Sequence, residues 1–256
     1  MVAKDLCVTI DDLPFIYGQY LADSAGAGRF GDILATLKKY NIKTIGFVVG
    51  SQVDSSRAPL LDRFVAEGHI IGNHTFTHLD LNSSSVKSYQ DDIRDGEIAI
   101  YNWIGETKYF RYPCLHQGQT RGKYDAIAEF LKSGDFVNVP VTIDNDDWLY
   151  NKNFSLALND GDKIAADSIG KNYLEHMQAM TQYYDSIAVA KLGRDINHIL
   201  LIHMNEINAV YLDSLLSLYL AQGWRFITPE EALADSLYKI KDTYIGEKGT
   251  SWLLRF

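Results

Sequence analysis

Two adjacent acids, Asp11 and Asp12, end the apolar run of "VTIDDLP". Neighbouring carboxylates repel, and burying them is costly unless a proton or a cation compensates the charge. "HTFTH" sets His74 and His78 four residues apart, a spacing that aims two imidazoles at one point when the segment is helical or tightly turned. With Asp12 as third donor they form an Asp/His/His set that leaves positions open for water and substrate, as a hydrolytic metal requires. The cation would keep the neighbouring carboxylate ionised and available as a base. Each fragment also has a plain structural alternative: an Asx turn or helix cap for the acids, surface or capping roles for the histidines.

Three further segments carry candidate groups. "FRYP" offers Arg111, an always-charged partner for a carboxylate, with Pro113 stiffening the loop behind it; a surface salt bridge is the alternative. "IDNDDW" reads as an acid-rich turn holding Asp144, Asp147 and Trp148. "LIHMN" ends an apolar strand on His203, which also reads as a satisfied core histidine.

All of these sit at the ends of candidate strands. The strands are "LCVTI" (6–10), "TIGFVV" (44–49), "HIIGN" (69–73), "KYFR" (108–111), "FVNVPVTI" (136–143), "HILLIH" (198–203) and "RFIT" (225–228). Amphipathic helix-period segments alternate with them, which is the pattern of a parallel sheet or barrel, where active sites form at strand C-termini. Gly68 and Gly223 fall where left-handed helix C-caps are expected. Residues 83–103 read as one long helix, and the connection at about 150–197 as an insertion with its own helix over 167–190. With no linker or repeat to divide it, the chain reads as one domain over 1–256.

Composition narrows the partners. The 256 residues carry a formal net charge of -9 with no long basic block, which argues against nucleic acid and anionic membrane surfaces. No apolar run is long enough to span a membrane, and the N-terminus lacks a signal-peptide layout, so the chain is cytoplasmic or a mature form without its leader. The two cysteines, Cys7 and Cys114, read as buried free thiols.

Taken in order, "TIDDLP", "HTFTH", "FRYP", "DNDDW" and "LIH" resemble the five motifs of the polysaccharide deacetylase family, also called carbohydrate esterase family four; "GWRFITPEEAL" is similar to its final strand and helix. The resemblance implies an α/β fold, a distorted seven-stranded (β/α) barrel. It implies Asp11 as catalytic base, and Asp12, His74 and His78 as ligands of a divalent metal, zinc first with cobalt or another divalent ion as alternatives. Arg111 would orient Asp11, His203 would act as general acid, and Asp147 would pair with His203. Trp148 and Leu201 would line a pocket for the acetyl methyl group, and the Tyr112 backbone N–H would help bind the oxyanion.

The activity so implied is removal of N- or O-linked acetyl groups from a carbohydrate of chitin-oligosaccharide, peptidoglycan or xylan type. Location would be periplasmic, secreted or at the cell envelope, with a cytoplasmic location as the alternative. After "RYP" the family more often continues with an aromatic and a glycine, whereas Cys114, Leu115, His116 and Gln117 follow here. Two other activities remain open: hydrolysis of a small non-sugar amide on the same metal site, and non-catalytic glycan binding.

Overall fold

The apolar run after Lys4 is buried from Leu6 through Asp11 with no exposed alternation, the burial of a strand covered on both faces. It opens a regular α/β succession in the computed structural model, which describes residues 4–15 and 23–256. In chain order the elements are β1 (Lys4–Leu13), α1 (Asp23–Lys39), β2 (Ile45–Val48), α2 (Ala58–Ala66), β3 (Ile70–Asn73), α3 (Val86–Ala99), β4 (Lys108–Phe110) and α4 (Arg121–Ser133). There follow β5 (Phe136–Asn138), α5 (Asp147–Asn159), α6 (Lys163–Leu192), β6 (Asn197–His203), α7 (Glu206–Ala221), β7 (Trp224–Phe226) and α8 (Pro229–Leu233). Each of these seven strands overlaps the segment expected for it, but β5 stops at Asn138 instead of running to residue 143 and β1 runs on to Leu13; Gly68 and Gly223 take left-handed φ of 82° and 88° just before β3 and β7.

Two compact units share this succession. The first comprises Met1–Ile10, Phe15–Thr44 and Thr142–Asp235. In it β1 pairs in parallel with β7, Lys4 opposite Trp224 and Leu6 opposite Phe226, and Thr9 Oγ1 donates to Leu200 O of β6 at 2.8 Å. The long connection is two helices rather than one. α6 buries Ala166, Gly170, Tyr173, Met177, Thr181, Tyr184 and Ala188, a stripe at helical period that explains why thirty residues hold one continuous helix. Asp162 caps its start by accepting from Ala165 N, and Gly193 ends it at φ 68°.

The second unit comprises Asp11–Pro14, Ile45–Val141 and Ser236–Phe256. Its strands pair in parallel in the order β5, β4, β3, β2, with Val48 opposite Asn73 and Phe110 opposite Asn138. Tyr89 and Ile93 of α3, Ile127 and Leu131 of α4, and Phe110, Tyr112 and Phe136 form one buried cluster. The C-terminal segment closes this unit. Arg255 and Asp242 are a buried ion pair at 2.7 Å, Trp252 N donates to Val141 O at 2.6 Å, and Gly249 lies directly against the carbonyl of Cys114.

Candidate functional site

β1 runs through the two acids to Leu13 rather than stopping before them. In a regular strand, neighbouring side chains point to opposite faces. Asp12 leaves that pattern with φ of 65°, and both carboxylates approach one nitrogen: His74 Nε2 is 3.8 Å from Asp11 Oδ2 and 3.7 Å from Asp12 Oδ1. His78 Nε2 stands 3.5 Å from Asp12 Oδ1. One donor atom each from Asp12, His74 and His78 lies within 4.8 Å of the others.

The histidines reach this point from a tight turn, not a helix, with Thr75 at φ 65° and His78 at φ 58°. A turn of this kind needs partners for its backbone N–H groups. Asn73 Oδ1 accepts from Thr75 N at 2.7 Å, and buried Asp92 of α3 accepts from Phe76 N at 3.1 Å, Thr77 N at 3.0 Å and Thr77 Oγ1 at 3.0 Å. Gly96 lets α3 come this close, since a Cβ there would meet Asn73 Oδ1 at 2.7 Å. Motif reading missed Asp92 and Asn73. The available signal was an acid interrupting the buried stripe of Tyr89, Ile93 and Gly96 on α3.

This donor set fits a divalent cation. Among the described residues Asp12 Oδ1 has no hydrogen-bond partner although it is buried and faces both imidazoles, and a buried acceptor left so costs its full desolvation unless a cation compensates it. His74 Nδ1 is 2.9 Å from the Arg111 carbonyl, which can only accept, so the proton sits on Nδ1 and Nε2 presents a lone pair toward the acids. Burial lowers the His74 pKa to about 4, which keeps the ring neutral and able to ligate at pH 7. Two imidazoles and a carboxylate suit zinc and related borderline ions.

Arg111 is fully buried. Its Nη1 donates to Asp11 Oδ1 at 2.6 Å, its Nε to Val139 O at 3.2 Å, and its guanidinium lies 4.2 Å from the Phe47 ring centre. The surface salt bridge is thereby excluded. Tyr112 follows, buried against Phe110 and Tyr89. Beyond Pro113 the loop is unusual, with Cys114 and Leu115 both left-handed at φ 54° and 55°, and His116 Nδ1 2.8 Å from an Asp80 oxygen. Cys7 is buried as expected, but Cys114 is exposed, because the left-handed loop turns it out of the core.

In the first unit, "IDNDDW" is a turn only up to Asp146. Asp147 and Trp148 open α5, where the unsatisfied N–H groups of a first turn favour an acid. Asp147 is fully buried; its Oδ1 lies 2.6 Å from His203 Nδ1 and its Oδ2 accepts from His203 N at 2.8 Å. Burial pushes the Asp147 pKa up, but the His203 charge and hydrogen bonds outweigh it and hold the carboxyl below its ordinary value. Asp144 accepts from Asn145 N at 2.9 Å, but burial outweighs this bond and raises its pKa to about 6. Leu201 is buried, and Trp148 is 54% exposed.

Comparison with known proteins adds a family and a fold. The family model described as polysaccharide deacetylase matches residues 2–129. Over 134 residues the chain is 30% identical to a peptidoglycan-N-acetylglucosamine deacetylase of Bacillus cereus, covering 52% of this chain and 48% of that protein. It spans about half or less of the length of the curated relatives it matches first, with shares of 48%, 38% and 40%. A carbohydrate esterase family four pseudoenzyme of Bacillus anthracis superposes with a TM-score of 0.61 at 18% identity, covering 91% of this chain and 66% of that one. A family four acetyl xylan esterase of Clostridium thermocellum, solved with a cobalt ion, does so with a TM-score of 0.59 at 23% identity, covering 93% of each chain. These two likenesses show a shared fold.

Proposed function

Because the chain belongs to the polysaccharide deacetylase family, we propose that it hydrolyses acetyl groups from a carbohydrate, using a divalent metal held by Asp12, His74 and His78. The observation that carries the reading is the buried Oδ1 of Asp12, without a hydrogen-bond partner among the described residues, facing two imidazoles beside a second carboxylate held by Arg111. The cation, when bound, polarises the acetyl carbonyl and lowers the pKa of water.

The remaining steps fall to the chain. Asp11, oriented by Arg111, takes the proton of the attacking water. The Tyr112 N–H donates to the developing oxyanion. His203, with its Nδ1 proton engaged by Asp147, delivers a proton from Nε2 to the departing nitrogen or oxygen. Trp148 and Leu201 bound the acetyl methyl group. The named relatives support glycans of peptidoglycan or xylan type, and with them a place at the cell envelope. The pseudoenzyme of the same fold raises a non-catalytic reading, and the candidate base, acid and metal donors retained here favour hydrolysis.

Acetate release from chitin oligomers, peptidoglycan and acetylated xylan tests this directly. Activity on at least one glycan should vanish on chelation and return with zinc or cobalt. Full activity in metal-free protein, or no acetate from any of them with metal-loaded protein, would overturn the proposal.

A further inference from the structure

We propose that Tyr173 and Asn208 are positioning residues that lock the Asp147–His203 pair into one hydrogen-bonded state, so that the long α6 segment takes part in proton delivery. The proposal rests on the reading of His203 as proton donor.

The argument starts from the carboxylate. An ionised aspartate offers about four lone-pair sites. On Asp147 three donors converge on Oδ2, His203 N at 2.8 Å, Asn208 Nδ2 at 2.8 Å and Asn205 Nδ2 at 3.3 Å, while Oδ1 lies 2.6 Å from His203 Nδ1. With its oxygens so engaged, Asp147 is an acceptor only, which forces the imidazole proton onto Nδ1 and turns Nε2 into the exchanging position.

This outcome depends on which end of the Asn208 amide faces Asp147. Its Nδ2 donates both to Asp147 and to the His203 carbonyl, the latter at 2.9 Å; a flipped amide would set its oxygen against the carboxylate and lose both bonds. Tyr173 Oη donates to Asn208 Oδ1 at 2.5 Å and opposes the flip. Tyr173 and Asn208 are both fully buried. Burial and the neighbouring Asp147 raise the Tyr173 pKa well above its ordinary value, so the phenol stays a donor. The chain Tyr173, Asn208, Asp147, His203 is thus directional, and Tyr173 enters it from the α6 buried stripe.

Tyr173→Phe keeps the ring packing and removes only the hydroxyl; Asn208→Leu removes the amide. Two measurements decide the matter. The first, independent of any activity, is the low-field Nδ1–H proton resonance of His203, assigned with His203→Gln. It should broaden in Tyr173→Phe and disappear in Asn208→Leu. The second is turnover: kcat should fall roughly 3–10-fold in Tyr173→Phe and roughly 10–100-fold in Asn208→Leu, with KM unchanged. The Tyr173→Phe effect should vanish in an Asp147→Ala background, because the relay is already cut.

An unchanged resonance in Tyr173→Phe, or a loss of turnover that persists in the Asp147→Ala background, overturns the proposal. Should Asn208→Leu fail to fold, Tyr173→Phe carries both measurements. Absence of acetate release in wild type would remove the deacetylase reading, and the resonance would still decide the relay.

Discussion

Arg111 braces two candidate site residues at once: its guanidinium holds Asp11 at 2.6 Å, and its backbone carbonyl accepts from His74 Nδ1 at 2.9 Å. Charge and ligand orientation therefore share one residue. Arg111→Met leaves Asp11 buried without its partner, and breaking a buried pair in this way costs roughly 3–5 kcal/mol. Urea unfolding should show that loss. Arg111→Lys keeps the charge but lacks the forked donors that reach Asp11 and Val139 together, so it should retain more stability and still lose turnover.

The acids should separate by function under mutation. Asp12→Ala and His78→Ala are expected to lose stoichiometric divalent metal, whereas Asp11→Asn should keep it and lose roughly 100-fold or more in turnover. Elemental analysis of purified variants, set beside acetate release, checks both halves. Metal loss in Asp11→Asn alone would reverse the assignment of the two neighbours.

Asp92 touches neither a donor atom nor the candidate base, yet it accepts three hydrogen bonds from the turn that carries His78. Asp92→Ala should loosen that turn and weaken zinc affinity by roughly 10–100-fold, the usual cost of losing a supporting partner. Calorimetric zinc titration measures it.

Asp144 gives a pH test with a definite sign. Burial raises its folded pKa from 3.8 to about 6, so between these values the folded protein retains a proton that the unfolded chain has released. By linkage this contribution lowers stability as pH rises through that window. Asp144→Asn removes the effect: the variant should match wild type at pH below about 4 and exceed it by roughly 2–3 kcal/mol above about pH 6. Denaturant melts at several pH values give the difference curve.

Gly249 lies against the Cys114 carbonyl with no room for a methyl group. Gly249→Ala must displace either the C-terminal segment or the left-handed loop that follows Pro113. A cost of roughly 1–3 kcal/mol is expected from overpacking of this kind. A thermal melt equal to wild type would show that the contact yields freely.

Much of this architecture is legible in the sequence, because strand positions follow from buried apolar runs. β5 is the exception, expected over 136–143 and ending at Asn138, since Pro140 has no N–H to give a ladder. The start of α5, Asp147 and Trp148, reads as a turn in the sequence because its acids look like turn residues, although a helix N-terminus takes acids for its own reasons. The Asp12, His74, His78 set follows from residue type and spacing. The pairing of Arg111 with Asp11, exactly one hundred positions earlier in numbering, does not, and came only from the family resemblance. Asp92, Asn73, Asn208 and Tyr173 escaped because they act through backbone groups and amides, which leave no motif.

The left-handed backbone at Asp12 bears on any attempt to move this chemistry elsewhere. Grafted onto an ordinary pleated strand, the same Asp-Asp dipeptide would send its carboxylates to opposite faces, and no single imidazole would meet both. The transplantable unit is therefore the pair together with its backbone inversion, and a protein engineer would have to copy the bend before the acids.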